Sequence, residues 1–413
     1  MPTFSKSTLA QITNSGRDVQ QKNQRITVLE CGLGESGRPS VQSAYVHMPF
    51  CFHKCHYCDF YSIVDTRDRQ AEYVDRLIAE IEAVTRFLNP PLKTVFVGGG
   101  TPTLLPPALW RKLLAAMNRH MPVAEHGEFT VECNPETLTD ELAAVLREGG
   151  VNRLSIGCQS FNPAHLKTLE RWHDPANVHR SVAISRAAGI DNINLDLIFA
   201  IPGQSLAEWV ADVDEALSLA PSHLSCYGLV FEPNTPLTVK MRAGRISPCE
   251  QDLEAQMYQA AIDRLSAAGF HHYEISNWAR LGKQCQHNMV YWQNENWWPL
   301  GTSASGHVDG LRWKNIARLG EYLEAGPFPA VCDVERLDDD GRIGEQFMLG
   351  LRLVQGIDTG QLDALLARGQ RAEARRAAID RHLKAGLLEI ACGRLRLHSR
   401  GLMLADAVLA DLI

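Results

Sequence analysis

Cys51-Phe52-His53-Lys54-Cys55-His56-Tyr57-Cys58 follows directly on the short apolar run Ala44–Met48. Three thiols at C-x3-C-x2-C spacing on one loop can hold a single metal centre between them. A structural zinc site closes with four protein ligands. An iron–sulfur cube also has four iron corners, each ordinarily held by one cysteine. Three cysteines therefore leave one iron open to a ligand that is not protein. The competing reading is a zinc knuckle completed by His47, His53 or His56.

From Gln42 onward, short apolar runs alternate with amphipathic helices. Strands are expected at Ala44–Met48, Thr94–Val97, Glu128–Glu132, Arg153–Ile156, Ile193–Ile198 and Leu224–Tyr227. Tyr73, Val74, Leu77, Ile78, Ile81 and Val84 are spaced for one buried helix face. Ser205 with Glu208 three residues on forms a capping box before Leu206, Trp209, Val210, Val213 and Leu217. Six β-then-α units in a row require a parallel sheet with right-handed crossovers. In barrels of this kind the chemistry sits on loops at the strand C-termini, which is where the cysteine loop lies.

The rest of the chain divides by composition. Residues 1–40 are polar, lack periodicity and read as a disordered or loosely attached extension, with Cys31 incidental. Residues 41–240 carry the β-α repeat, and 241–332 form an aromatic-rich extension. The acidic stretch Asp333–Asp340 reads as a linker into a domain over 333–413. There, helices near Arg342–Arg352, Thr359–Arg368 and Arg371–Ala385 precede strands Leu388–Ile390 and Leu395–Leu397 and a last helix Gly401–Leu412. That order is winged-helix-like, and the arginines from Arg371 to Arg381 read as a solvated face.

A net charge of −7 argues against a nucleic-acid surface. Eleven cysteines, an odd count and scattered apart from the trio, point to reduced thiols in a cytoplasmic compartment. There is no apolar run of the ~20 residues a membrane-spanning helix needs, nor a secretory signal pattern.

Motifs stand at successive strand ends. Gly98-Gly99-Gly100-Thr101-Pro102-Thr103 follows the second strand, where glycines let the backbone approach a ligand closely. The third ends in Glu132-Cys133-Asn134-Pro135, and a carboxylate there can accept hydrogen bonds from ribose hydroxyls. The fourth ends in Gly157-Cys158-Gln159-Ser160-Phe161, with Arg171 beyond. Asp196 sits in the otherwise apolar fifth strand, where an acid needs a partner. It is a ligand candidate or pairs with an arginine.

The cysteine spacing at a first-strand end resembles the signature of the radical S-adenosylmethionine (SAM) superfamily. The series Tyr45-Val-His-Met-Pro-Phe-Cys51, GGGTPT, ECNPE, GCQSF, Asp196-Leu-Ile-Phe-Ala-Ile-Pro-Gly-Gln204 and His287-Asn-Met-Val-Tyr-Trp292 resembles the oxygen-independent coproporphyrinogen III oxidases and their relatives, over roughly residues 42 to 400. The resemblance implies an α/β fold, a partial (β/α)6 barrel, with a small C-terminal α+β domain. It implies a [4Fe–4S] cluster on Cys51, Cys55 and Cys58 whose open iron is chelated by SAM. Tyr45, Gly99 and Glu132 match positions that contact this SAM. Tyr57, Gly100, Thr101, Gln159, Arg171 and Asp196 match positions lining a second SAM site. Ala200 stands where the family usually has glycine, and Val230 replaces a small residue near the second site.

Two activities occur in the family, a dehydrogenase that converts propionates to vinyls and a haem chaperone. The dehydrogenase carries an extra cysteine two residues after the third ligand, where this chain has Phe60. The hexapeptide His287–Trp292 resembles a hallmark of the chaperone branch, in which it is implicated in haem binding. An imidazole can ligate haem iron, and aromatic rings offer flat apolar surface. The resemblance thus implies haem held at His287 and Trp292. Its implied partners are acceptor haemoproteins, membrane-bound respiratory proteins among them, and an electron donor. It implies no coproporphyrinogen oxidase activity.

Overall fold

The computed structural model describes residues 26–31, 33 and 39–413. Six strands lie parallel and side by side: β1 (Ser43–Met48), β2 (Leu92–Gly99), β3 (Val123–Cys133), β4 (Arg153–Gln159), β5 (Asn192–Phe199) and β6 (His223–Gly228). Each expected strand is present, extended by one to several residues at its ends. β7 (His271–Glu274) and β8 (Asn277–Ala279) continue the sheet antiparallel beyond β6, and β9 (Trp298–Leu300) runs parallel to β1 at the other edge. The aromatic-rich extension therefore completes the main sheet. The architecture is an α/β partial barrel, as expected, with six parallel strands in sequence order.

Alternation along the strands explains the two faces. Val46, Val95, Val97, Phe129, Val131, Leu154, Ile156, Leu195, Leu197 and Leu224 are fully buried against the surrounding helices. Each such aliphatic side chain contributes about 1.5–3 kcal/mol of burial energy. The helix Gln70–Val84 turns Tyr73, Val74, Leu77, Ile81 and Val84 inward as its spacing predicts. The helix Leu206–Ser218 starts with the Ser205–Glu208 capping box fully formed. The alternate strand positions are polar and line the inside of the curve. Asn194 Nδ2 donates to Ser155 Oγ at 2.7 Å, and its Oδ1 lies 2.6 Å from His223 Nδ1. A polar lumen in a curled sheet is a cavity built for polar contents.

A second sheet holds β10 (Ser305–Val308), β11 (Leu311–Asn315) and β12 (Val331–Arg336). β12 corrects the expectation of an acidic linker over 333–340. Its polar residues stand on an edge strand whose backbone pairs with β11, and charged side chains are what exposed edges carry. The helix Asp339–Gly350 follows at once, capped by Asp338, whose carboxylate accepts from Gly341 N at 2.7 Å.

The C-terminal domain then runs as its composition predicts. Helices Thr359–Leu366 and Ala372–Lys384 lead into the hairpin β14 (Leu388–Ala391) and β15 (Arg394–Leu397), with β13 (Ile357–Asp358) on the far side of β15. The expected last helix is broken into Ser399–Leu402 and Ala405–Ala410. Its arginine-rich helix is not simply a solvated face. Arg375 is buried, donating to Asp340 Oδ1 at 2.9 Å and to the Leu412 carbonyl at 3.0 Å. The extension expected over 1–40 falls mostly outside the described residues. Within them, Thr27 bridges to Ala330, Val28 is buried, and Val331 N donates to the Ile26 carbonyl.

Candidate functional site

The loop after β1 is tied at its neck. Cys51 N donates to the Ile63 carbonyl at 2.9 Å, and Ile63 N to the Pro49 carbonyl at 2.8 Å. Its tip is held from two sides, by His56 N to the Leu169 carbonyl and by Leu237 N to the His56 carbonyl. Cys55 is buried and Cys51 and Cys58 are half-buried. Burial pushes the Cys58 thiol up to about 12, and its neighbours Cys55 and Cys51 push it the same way. Cys51 is raised by burial as well. Thiolates crowded in this way need a cationic centre among them, and a coordinated metal would deprotonate them outright. The three thiols therefore fit a [4Fe–4S] cluster by donor chemistry.

Of the histidines that might close a zinc site, His47 has Nδ1 3.1 Å from Tyr45 Oη and Nε2 2.8 Å from the Tyr61 carbonyl. Both of its nitrogens are committed.

The glycine turn after β2 packs against the root of this loop. Gly100 N donates to the Met48 carbonyl and Thr101 N to the Phe50 carbonyl, at 2.6 and 2.8 Å. Thr101 Oγ1 lies 3.5 Å from Cys51 Sγ. Gly99 has φ of +110°, and a Cβ there would stand 2.5 Å from the His47 ring. Gly98 is equally constrained, since its Cβ would meet the Glu132 carboxyl carbon at 2.8 Å. Gly99 N donates to Glu132 Oε2 at 2.9 Å, which aims that carboxylate across the top of β2 and β3. Burial raises the Glu132 pKa.

Arg171 Nη2 donates to the Gly157 carbonyl at 2.8 Å, while Nη1 stands 3.7 Å from Cys55 Sγ. Tyr57 is in the same neighbourhood and interacts electrostatically with Arg171, Cys55, Cys58 and Asp196. Asp196 finds its partners in Ser155 Oγ at 3.1 Å and Asn194 Nδ2 at 2.8 Å rather than in an arginine ion pair. Gln159 takes φ of +67° at the irregular register between β4 and β5. Tyr45 lies lower, stacked on Phe96 with its hydroxyl turned toward His47. Cys51, Cys55, Cys58, Tyr57, Gly99, Gly100, Thr101, Glu132, Gln159, Arg171 and Asp196 thus gather at one end of the barrel, with Tyr45 beneath them.

His287 lies on the other side of Phe96 from Tyr45, the Phe96 ring stacking on both. The helix Gln286–Trp292 packs against β2 and β3 through Thr94 and Glu128. His287 is fully buried, with Nδ1 2.8 Å from Thr94 Oγ1 and Nε2 2.8 Å from Tyr291 Oη, its ring stacked on Phe96. Burial lowers its pKa to about 3. Neither ring nitrogen is open to an iron. Trp292 is buried in the core of the C-terminal domain, beneath the Arg352 guanidinium. Sequence reading missed Glu128, whose carboxylate accepts from Gln286 N at 2.9 Å and His287 N at 3.2 Å and so seats the helix. The available signal was a charged residue at an inward strand position.

The radical SAM superfamily matches residues 45–216, and the HemN C-terminal domain matches 337–404. The fold is similar to that of coproporphyrinogen III oxidase (HemN) from Escherichia coli, with a TM-score of 0.79 at 19% identity, covering 100% of this chain and 99% of that one. The heme chaperone HemW of Mycobacterium tuberculosis is 38% identical over 378 residues, 89% of this chain and 94% of the relative. The chain belongs to the HemW family of radical SAM proteins. HemW of Bacillus subtilis is 39% identical over 323 residues, 77% of this chain and 85% of that one. HemW of Escherichia coli is 35% identical over 322 residues, covering 76% and 83%.

Proposed function

We propose that this chain is a haem chaperone that binds haem and delivers it to acceptor haemoproteins, with a [4Fe–4S] cluster and SAM held in the barrel mouth. The observation that carries the reading is its match to relatives named heme chaperone HemW along up to 89% of its length. Phe60, standing where the dehydrogenase branch carries a further cysteine, supports it. Cys51, Cys55 and Cys58 would hold the cluster and leave it open to SAM. When bound, the cluster supplies a single electron at low potential to SAM.

The protein's own part is to orient and to shield. Glu132, aimed by Gly99 N, accepts from the ribose hydroxyls, and the glycine turn brings backbone close to the amino-acid end of SAM. Tyr45 flanks the same SAM from below. Tyr57, Gly100, Thr101, Gln159, Arg171 and Asp196 form the remaining wall. For His287 to ligate haem iron, its hydrogen bonds to Thr94 and Tyr291 must break first.

None of the eleven cysteines is joined in a disulfide, which fits a reducing, cytoplasmic setting. Among the described residues, no helix is long and apolar enough to cross a membrane. The partners are haem, acceptor haemoproteins that include membrane-bound respiratory proteins, and a low-potential electron donor.

The test is anaerobic purification with haem titration, followed by mixing the loaded chain with apo-haemoproteins. Tight haem uptake and transfer is the expected result. A chain that takes up no haem overturns the reading. The second reading, an oxygen-independent coproporphyrinogen III dehydrogenase, shares the fold and predicts release of carbon dioxide from that substrate instead.

A further inference from the structure

Arg171 is fixed at its backbone and at one arm of its guanidinium, while its buried Nε has no hydrogen-bond partner among the described residues. It lies just past the helix Pro163–Thr168, where its own N–H returns to the Leu166 carbonyl at 2.8 Å. Its Nη2 is fixed on the Gly157 carbonyl at 2.8 Å. Gly157 leaves room for this, because a Cβ there would stand 2.7 Å from Nη2. The fork so held points Nη1 at Cys55 Sγ, 3.7 Å away. Among the described residues no carboxylate lies within ion-pair distance of Arg171, so its charge faces sulfur.

We propose that Arg171 tunes the cluster, its guanidinium raising the reduction potential by donating to the sulfur of Cys55. The proposal rests on the reading of Cys51, Cys55 and Cys58 as cluster ligands. The couple is [4Fe–4S]2+/1+, which gains one electron from a low-potential donor protein of the ferredoxin or flavodoxin class and takes up no proton. The added negative charge spreads over the sulfurs, so a fixed cation beside one of them stabilises the reduced form more than the oxidised form. Hydrogen bonds to sulfur, net charge and exposure are the levers by which proteins set such potentials, and a half-buried site screens the effect less than water does. A raised potential eases loading of the electron and weakens its drive to leave for SAM.

The experiment is a redox titration of the anaerobically reconstituted full chain, read by the EPR signal of the reduced cluster, with iron content measured on the same samples. Arg171→Met is expected to retain the cluster and move the midpoint to lower potential. Arg171→Lys, which keeps the charge but loses the fork, should fall between. Gly157→Ala keeps Arg171 but displaces it, and should shift the midpoint the same way; it decides the matter if Arg171→Met loses its iron. A purely structural Arg171 would lower thermal stability and leave the midpoint where it is. Unchanged midpoints in Arg171→Met and Gly157→Ala, with clusters intact, overturn the proposal alone. A wild-type chain that takes up no iron overturns the cluster reading and the proposal with it.

Discussion

Glu132 accepts the backbone N–H of Gly99 at 2.9 Å, joining the end of β3 to the glycine turn after β2. The contact leaves one carboxylate oxygen for a ligand and fixes the direction in which it points. A hydrogen bond from a hydroxyl to a charged carboxylate is worth about 1.5–3 kcal/mol. Glu132→Ala is therefore expected to weaken SAM binding by roughly one to two decades, measured by equilibrium titration. Gly98→Ala should do nearly as much, because its new Cβ would displace the carboxylate it meets at 2.8 Å. Wild-type affinity in both variants would remove Glu132 from the site.

His287 is buried between Thr94 and Tyr291, and its removal should register as lost stability. Replacing it by alanine opens a cavity and strands the hydroxyls of Thr94 and Tyr291. The expected loss is about 3 kcal/mol, read from denaturant unfolding. The Soret band of the haem-loaded protein should keep its position. A shifted band with unchanged stability would mean that the imidazole leaves this pocket to bind iron.

Several buried imidazoles make the fold sensitive to mild acid. Burial lowers His287 to about 3 and His47 to about 4 in the folded chain, against about 6.5 when unfolded. Below pH 6.5 the unfolded chain takes up protons that these folded groups refuse, so stability is full above that pH and is lost as pH falls toward 4. One unit below the unfolded value, each such group costs about 1.4 kcal/mol. Glu80, raised to about 7 by burial, works in the opposite sense, since its penalty as a carboxylate fades as pH falls. Burial raises Glu132, Asp212, Glu254, Glu274 and Glu335 in the same sense as Glu80, while His56, His173, His223, His272 and His307 are lowered with His287 and His47, and the histidines' unfolded value lies inside the window from pH 7.5 to 5.5. Urea midpoints should therefore fall between pH 7.5 and pH 5.5. A flat or rising profile would contradict the buried, neutral assignment.

Ala200 occupies φ of +60° in the turn after β5. That conformation costs a residue with a Cβ about 1–2 kcal/mol and glycine almost nothing. The extra unfolded-state entropy of glycine offsets part of the gain. Ala200→Gly should stabilise the fold by about 0.5–1 kcal/mol in a thermal or denaturant melt. A lower melting temperature would show that the Ala200 methyl, which is buried, contributes packing that exceeds the strain.

The barrel was legible because apolar residues repeat along β1 to β6 at strand spacing and the helices between them carry one buried stripe. The metal-binding end was legible because cysteines, glycines and acids stand at strand ends, where the topology must gather them. The hexapeptide helix was not. His287 and Trp292 read as haem ligand and haem surface, while the partners that bury them, Thr94, Tyr291, Glu128 and Arg352, are tertiary contacts that no local pattern announces. β12 escaped because its strand character comes from pairing with β11, while its own residues alternate poorly. Arg171 was visible as a site residue, but its aim at Cys55 depends on a carbonyl and a missing side chain at Gly157.

The most direct measurement is carbon dioxide release from coproporphyrinogen III by the anaerobically reconstituted chain, supplied with SAM and a strong reductant, on a preparation shown to bind haem. The account predicts about four irons per chain, lost in Cys55→Ala, together with haem binding and no decarboxylation above a protein-free control. Sustained turnover to protoporphyrinogen by the wild-type chain would contradict it, however tightly that chain held haem.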